Sequence, residues 1–399
     1  MKEKYNCIFG GGGIRGMCYI GAVDALNECG IELDAIAGSS VGAVFASLFA
    51  AGYSTSEIKD IFLDFNLNMF RDLNITIFTP DISISKGEIF LDWLREKLST
   101  KLKKVKKISS DYKVKFKDLD KKLYILTVDL NTNTPFVFSK ETTPDEEVAI
   151  AVRASASLPG LMKPVNYGDS ILVDGDLIKS WPAWKIFNQL NNSESRLLEF
   201  RLEGSRDNTD IKNPMDYINS IINAIWYLST ENVFQDYHEN DKYDYIVIDT
   251  KDIIMFDFNI DNETKNKLIE KGYYITKNYL EKTLVYKKKN LIEKYLYIYE
   301  KINLCLKLIK ESNFEKIICS LNEILSDSYD NSLYIDKYYY LQIKQLKELL
   351  CTNIKKGFLF ARKLENKREI TEKTIFITNL LEKRIVELKK YITKFSNNC

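Results

Sequence analysis

Gly38-Ser39-Ser40-Val41-Gly42 stands between the apolar run Ala35-Ile36-Ala37 and a second, Val44 to Ala51. That order predicts a strand, a sharp turn and a helix. A serine at the tip of such a turn is pushed out of the fold with its Oγ exposed, and flanking glycines, here Gly38 and Gly42, let the backbone pass closely. Ser40 is therefore a candidate nucleophile. The same five residues also fit a plain strand-to-helix turn with a capping serine, and the motif alone does not separate the two.

Two further motifs bear on that choice. Gly10-Gly11-Gly12-Gly13-Ile14-Arg15-Gly16 follows the strand-like Tyr5 to Phe9 and opens a helix-like stretch from Met17 to Cys29, closed by Gly30. A glycine loop at a helix N-terminus presents free backbone N–H groups in a positive field, suited to a phosphate or a developing oxyanion. Gly11-x-Gly13-x-x-Gly16 also fits the dinucleotide fingerprint, with Asp34 as the ribose acid. Against it, Asp34 is expected to precede the second strand, whereas the ribose acid ends that strand. The third motif is Asp174-Gly175-Asp176, after the apolar Ser170 to Val173. An acid at a strand end beside a glycine serves catalysis or an ordinary turn.

The chain has one histidine, His238, in the polar stretch Tyr237 to Lys242. A Ser-His-Asp triad would have to use it. A serine paired directly with a carboxylate is the better expectation.

These residues resemble the patatin-like phospholipase family. The resemblance rests on Gly11 to Gly16, Gly38 to Gly42 and Asp174-Gly175 in that order, supported by Ala151 to Gly160 and by Phe116 to Leu119 with Leu123 to Leu130. It implies a three-layer α/β/α sandwich and calcium-independent hydrolysis of ester bonds in phospholipids or other acyl lipids. Ser40 would be the nucleophile and Asp174 its proton acceptor. The N–H groups of Gly11, Gly12 and Gly13 would form the oxyanion hole, with Arg15 adding positive potential. No cofactor or metal is implied. The chain departs from the family at Asp176, where a small residue is usual, and at Ser180-Trp181-Pro182, where Asn-x-Pro is common.

Composition sets the frame. The 399 residues are 45% apolar and 28% charged with a net charge of +1, which fits a globular chain and gives no bulk attraction to nucleic acid. No stretch has the uninterrupted apolar length of a membrane span, and the N-terminus lacks a signal-peptide core. The seven unevenly spaced cysteines then read as reduced thiols of a cytoplasmic protein, peripheral on membranes. Cys7, Cys18 and Cys29 fall in apolar stretches and are expected to pack in the core. Cys399 is terminal and forms no prenylation motif.

Glycine and proline thin out after Pro214, with only Gly272 and Gly357 beyond. Long helices are expected there. Leu291, Tyr295, Ile298, Ile302, Cys305 and Ile309 share one helix face, as do Ile377, Leu381, Ile385, Leu388, Ile392 and Phe395. The reading is a lipid acyl hydrolase domain over 1–285 and an all-helical extension over 286–399. That extension would be a hairpin or small bundle that packs on the first domain, self-associates or binds a protein partner. Between Arg95 and Lys122 lie 12 Lys/Arg and four Asp/Glu, including Lys101 to Lys107. Such a run suits docking on an anionic membrane, or is a solvated face. Asn66 to Phe70 and Ile75 to Phe78 are candidates for lid or acyl-pocket residues. Two other functions remain open: a nucleotide-binding regulator using the glycine loop, and a catalytically silent scaffold. The motifs do not separate hydrolase from transacylase.

Overall fold

The structure is a computed structural model. It describes residues 3–65, 83–106, 112–178, 196–204, 243–253, 260–329, 337–355 and 367–396, with isolated positions between 211 and 224. His238, Ser180-Trp181-Pro182, Asn66 to Phe70, Ile75 to Phe78, Lys107 and Cys399 lie outside the described residues. The described chain falls into two compact units that part between Lys277 and Asn278.

The first unit is built on a mixed sheet. Its strands are β1 (Glu3–Phe9), β2 (Ile31–Gly38), β4 (Lys122–Asp129), β5 (Thr134–Ser139), β7 (Val165–Tyr167), β8 (Ser170–Asp174), β9 (Arg196–Glu203) and β10 (Tyr243–Asp249). Their order is β10-β9-β1-β2-β4-β8-β7, with β5 also on β4. β3 (Ser83–Ser85) and β6 (Gly160–Met162) pair separately. Every residue of β4 after Lys122 is buried, and β2 is almost continuously buried. Successive strand residues point to opposite faces, so both faces of the central sheet are covered. The covering elements include α1 (Cys18–Glu28), α2 (Val41–Ala50), α3 (Thr55–Leu63), α4 (Glu88–Lys106), α5 (Val148–Ser155) and α6 (Asn262–Asn278). This is the expected three-layer α/β/α class.

Local chemistry explains several boundaries. α3 starts at a full capping box, with Ser54 and Glu57 exchanging side-chain and backbone hydrogen bonds. At its other end the buried Lys265 ammonium donates to the carbonyls of Phe62, Leu63 and Phe65. A cation there satisfies orphan carbonyls and complements the helix dipole. α6 belongs to the sheet unit because it crosses α1 at two glycines. A Cβ on Gly21 would lie 1.8 Å from Ile269 O, and one on Gly272 would lie 2.0 Å from Cys18 O. That crossing explains why the units part at Lys277 rather than near residue 285.

The second unit is all-helical among the described residues. A π-helical turn (Tyr279–Thr283) leads into α7 (Leu284–Lys310), then α8 (Phe314–Tyr329), α9 (Lys337–Lys355) and α10 (Lys367–Ser396). Its core contains the faces read from the sequence: Tyr295, Ile298, Ile302, Cys305 and Ile309 from α7, and Ile377, Leu381, Ile385 and Leu388 from α10. The four helices among the described residues make it a small bundle rather than a hairpin. No helix among the described residues is long and apolar enough to cross a membrane.

Candidate active site

The turn after β2 is tight for a steric reason. A Cβ on Gly38 would lie 2.3 Å from Gly42 O, and one on Gly42 would lie 2.0 Å from Phe9 O. Only glycines allow α2 to start so close to the ends of β1 and β2. Ser40 sits at φ 52°, ψ −129°, a left-handed backbone that a non-glycine residue adopts at a cost of order 1–3 kcal/mol. It precedes the first turn of α2, where free N–H groups and the helix dipole favour negative charge. Its side chain makes no capping hydrogen bond. The capping-serine alternative therefore fails, and the strain goes with a hydroxyl left available.

The sheet brings a second strand end to this turn. β5 covers one edge of β4 from Tyr124 to Asp129. On the opposite edge, β2 pairs in parallel up to Gly38 with Ile125, and β8 pairs antiparallel from Thr127 with Asp174. The C-terminal ends of β2 and β8 thus meet head to head, with Leu126 between them. Ser40 follows one end and Asp174 closes the other, on strands separated by some 130 residues of chain.

The end of α5 ties these two ends together. Ser40 N–H donates to Ser155 O at 3.2 Å and lies 3.0 Å from Ser155 Oγ. Ser155 Oγ donates to Leu126 O. Asp174 N–H donates to Ser157 O at 3.0 Å, and Ser157 in turn is held by the buried Arg153. Ser155 and Ser157 were visible in the sequence only as part of an Ala/Ser-rich stretch. Their positioning contacts run to residues far away in the chain, and no local pattern encodes them.

Asp174 is fully buried, and its Oδ1 accepts from Asp176 N–H at 2.8 Å. Asp176 is also buried. Its Oδ1 accepts from Gly11 N–H and from Ser39 Oγ, each at 3.0 Å. The resemblance assigns Gly11 to the oxyanion donors, but here the Asp176 carboxylate takes its N–H. Among the described residues, the N–H groups of Gly12 and Gly13 make no such contact.

The glycine loop rests on aromatic rings. Phe9 stacks on Phe200 at 5.4 Å and packs against Tyr19 at 5.0 Å. Tyr19 OH donates to Gly10 O at 2.6 Å. Burial, and then the Asp176 charge, hold that phenol well above its ordinary pKa, so it remains a donor. Arg15 lies in the short helical turn Gly13–Met17. Its Nε donates to Ile253 O at 2.8 Å, and burial lowers its pKa against the pull of Asp252. Arg15 thus braces the loop against the segment after β10. Asp34 lies inside β2, not before it, with Lys4 Nζ 3.9 Å away. Among the described residues no group of His, Cys, Asp and Glu is arranged to hold a metal.

Residues 7–184 match the model of the patatin-like phospholipase family, and all three motifs fall within that span. This segment is a patatin-like domain. The chain is 25% identical over 297 residues to the uncharacterized protein YqhO of Bacillus subtilis, covering 69% of this chain and 97% of that one. It is 25% identical over 202 residues to "Probable lipid hydrolase 463L" of Invertebrate iridescent virus 6, covering 49% and 69%. Among solved structures it is similar to VipD of Legionella pneumophila, at 14% identity and a TM-score of 0.49, covering 98% of this chain and 90% of that one.

The patatin-like domain uses much of its basic run internally. Arg95 pairs with the buried Glu147 at 2.7 Å, Lys101 with Glu57 at 2.6 Å, and Lys117 with Asp145 at 2.5 Å. Lys121 donates to Leu33 O. Lys103, Lys104, Lys113 and Lys122 remain exposed. The charge count of this run therefore overstates what it offers to a membrane.

Proposed function

We propose that the chain is a calcium-independent serine acyl hydrolase acting on phospholipids or other acyl lipids. The observation that supports this reading is the head-to-head meeting of β2 and β8, one followed by the strained, uncapped Ser40 and the other ending in the buried Asp174. In the proposed reaction Ser40 Oγ attacks the ester carbonyl while its proton passes to Asp174. The oxyanion is received by the N–H groups of Gly12 and Gly13 and by the N-terminus of α2. Loss of one such donor typically lowers the rate by about a hundredfold or more. The alcohol leaves, and water releases the fatty acid from acyl-Ser40. An alcohol in place of water would make the same site a transacylase.

Two features weigh against nucleotide binding. The Gly11 N–H that would face a phosphate is occupied by the protein's own carboxylate, and Asp34 is within a strand rather than at its end. Docking on an anionic surface through residues 95–122 rests on the four exposed lysines named above.

The test is fatty-acid release from mixed phospholipid vesicles with calcium chelated, for wild type, Ser40→Ala and Asp174→Asn. Release by wild type alone is the expected result. Activity that survives Ser40→Ala refutes the assignment. An inactive wild type on vesicles and simple esters moves the reading to a scaffold. Nucleotide affinity without esterase activity moves it to a regulator.

A further inference from the structure

Asp176 touches all three pieces of the site. Its Oδ1 takes a hydrogen from Gly11 in the glycine loop and another from Ser39, the residue before Ser40. Its own N–H binds Asp174 Oδ1. These partners lie 165, 137 and two residues away in sequence. The residue is 2% exposed, and its Oδ2 has no hydrogen-bond partner among the described residues. A Cβ on Gly11 would lie 2.6 Å from that Oδ2 and 2.9 Å from Ser40 Cβ. Asp176 Oδ2 and Ser40 Cβ are therefore within about 5.5 Å of each other, the sum of those two distances, around one small space.

A buried carboxylate oxygen without a donor is unfavourable, and a negative charge beside a developing oxyanion opposes it. A glycine at 176 would avoid both penalties and free a third donor. What the carboxylate supplies in return is two charge-assisted hydrogen bonds that join separate segments.

We propose that Asp176 is a positioning residue for Ser40: it fastens the glycine loop to the turn that carries Ser40 and withdraws Gly11 from the oxyanion donors, leaving Gly12 and Gly13. The proposal rests on the acyl-hydrolase reading. Misplacement of a reacting group by about 1 Å lowers rates on the order of a hundredfold, and Gly12 and Gly13 still supply two donors when Gly11 is withdrawn.

The test uses the full chain with a soluble chromogenic acyl ester. Competent sites are counted by stoichiometric fluorophosphonate labelling, so that kcat is expressed per titrated Ser40. Asp176→Gly is expected to lower kcat per site by about ten- to a hundredfold, with KM changed by no more than about threefold. Asp176→Asn keeps an oxygen acceptor for Gly11 and Ser39, and is expected to retain at least about a third of wild-type kcat. A fold defect alone would lower the number of titrated sites and leave kcat per site intact. An Asp176→Gly enzyme that matches or exceeds wild type per site overturns the proposal. If that variant does not fold, Ser39→Ala decides. Removal of this one arm should lower kcat about three- to tenfold, and an unchanged kcat overturns the proposal. Ser40→Ala separates the two levels. If it is inactive while Asp176→Gly is normal, only the positioning role falls. If it is active, the hydrolase reading falls and the positioning role with it.

Discussion

Buried polar groups are handled differently in the two units. In the helical unit Thr374 donates to Ile370 O and Thr378 to Thr374 O, each one turn back in its own helix. Around them the core is a repeat of Ile, Leu, Tyr and Phe. In the sheet unit several buried polar side chains reach across the chain. Ser39 meets Asp176, Ser155 meets Leu126, Arg196 meets Asp244 and Arg95 meets Glu147. Local satisfaction leaves a unit whose stability is a matter of apolar packing. Distant satisfaction makes each polar contact a constraint on where two segments lie. Substitutions in the first should therefore change stability, and those near the site in the second should change rates.

The largest expected effect is on rate. Ser40→Ala should lower kcat/KM on an acyl ester at least about a thousandfold, with Asp174→Asn close behind, while the thermal midpoint barely moves. If either variant unfolds instead, the contrast drawn above collapses. Next comes Gly42→Ala. Its methyl would lie 2.0 Å from Phe9 O, a backbone atom that cannot swing away. A loss of roughly 3 kcal/mol or more is expected by denaturant titration. Ile302→Ala, at a fully buried position of the bundle, should cost about 2–4 kcal/mol as a lowered denaturant midpoint, with kcat per titrated site unchanged. A changed kcat would show that the bundle reaches the chemistry.

Ser155→Ala sharpens the comparison. It removes the Oγ donor to Leu126 O beside the Ser40 N–H, and about 1–2 kcal/mol is expected. That loss should show mainly in kcat, as roughly a tenfold drop, and a purely thermal effect would place Ser155 with the structural polar groups. Glu57 gives the smallest effect. Its pairing with Lys101 lowers its carboxyl from 4.5 to about 2. A depressed carboxylate pKa stabilises the fold above the unfolded value and loses that contribution as pH falls through the folded one. The Glu57→Gln melting deficit should thus be present at pH 7 and fade between about pH 4.5 and 2. The pair is partly exposed, so the deficit should also shrink in salt.

The parts of this molecule that were readable in sequence are those encoded locally. The turn at Ser40 lies between two apolar runs, and the bundle faces recur at helical spacing. The expected strand before Asp174 and helix after Gly42 are both present. The unreadable parts are long-range pairings. Nothing in Ser170 to Asp174 states that this strand runs antiparallel to β4 or ends opposite Gly38. Asp34 was expected outside its strand because the apolar run begins at Ala35. The strand continues back to Ile31 because pairing with β1 overrides the polar residues. Helical character runs past Lys277 without a break, and the α1–α6 crossing is what groups α6 with the sheet. Asp176 stood out as a departure from family pattern. Its grip on Gly11 and Ser39 spans 165 and 137 residues, which no local pattern encodes.

Leu126 is, in effect, a gauge block. The ends of β2 and β8 abut the same edge of one strand, so their separation is set by counting residues along β4 rather than by any loop. One residue inserted between Ile125 and Thr127 would push the two ends apart by about 3.3 Å and turn everything beyond it to the other face. Length variation in this molecule should therefore collect in the connections that leave β4, while the interval from Ile125 to Thr127 stays invariant in length across any functional relative.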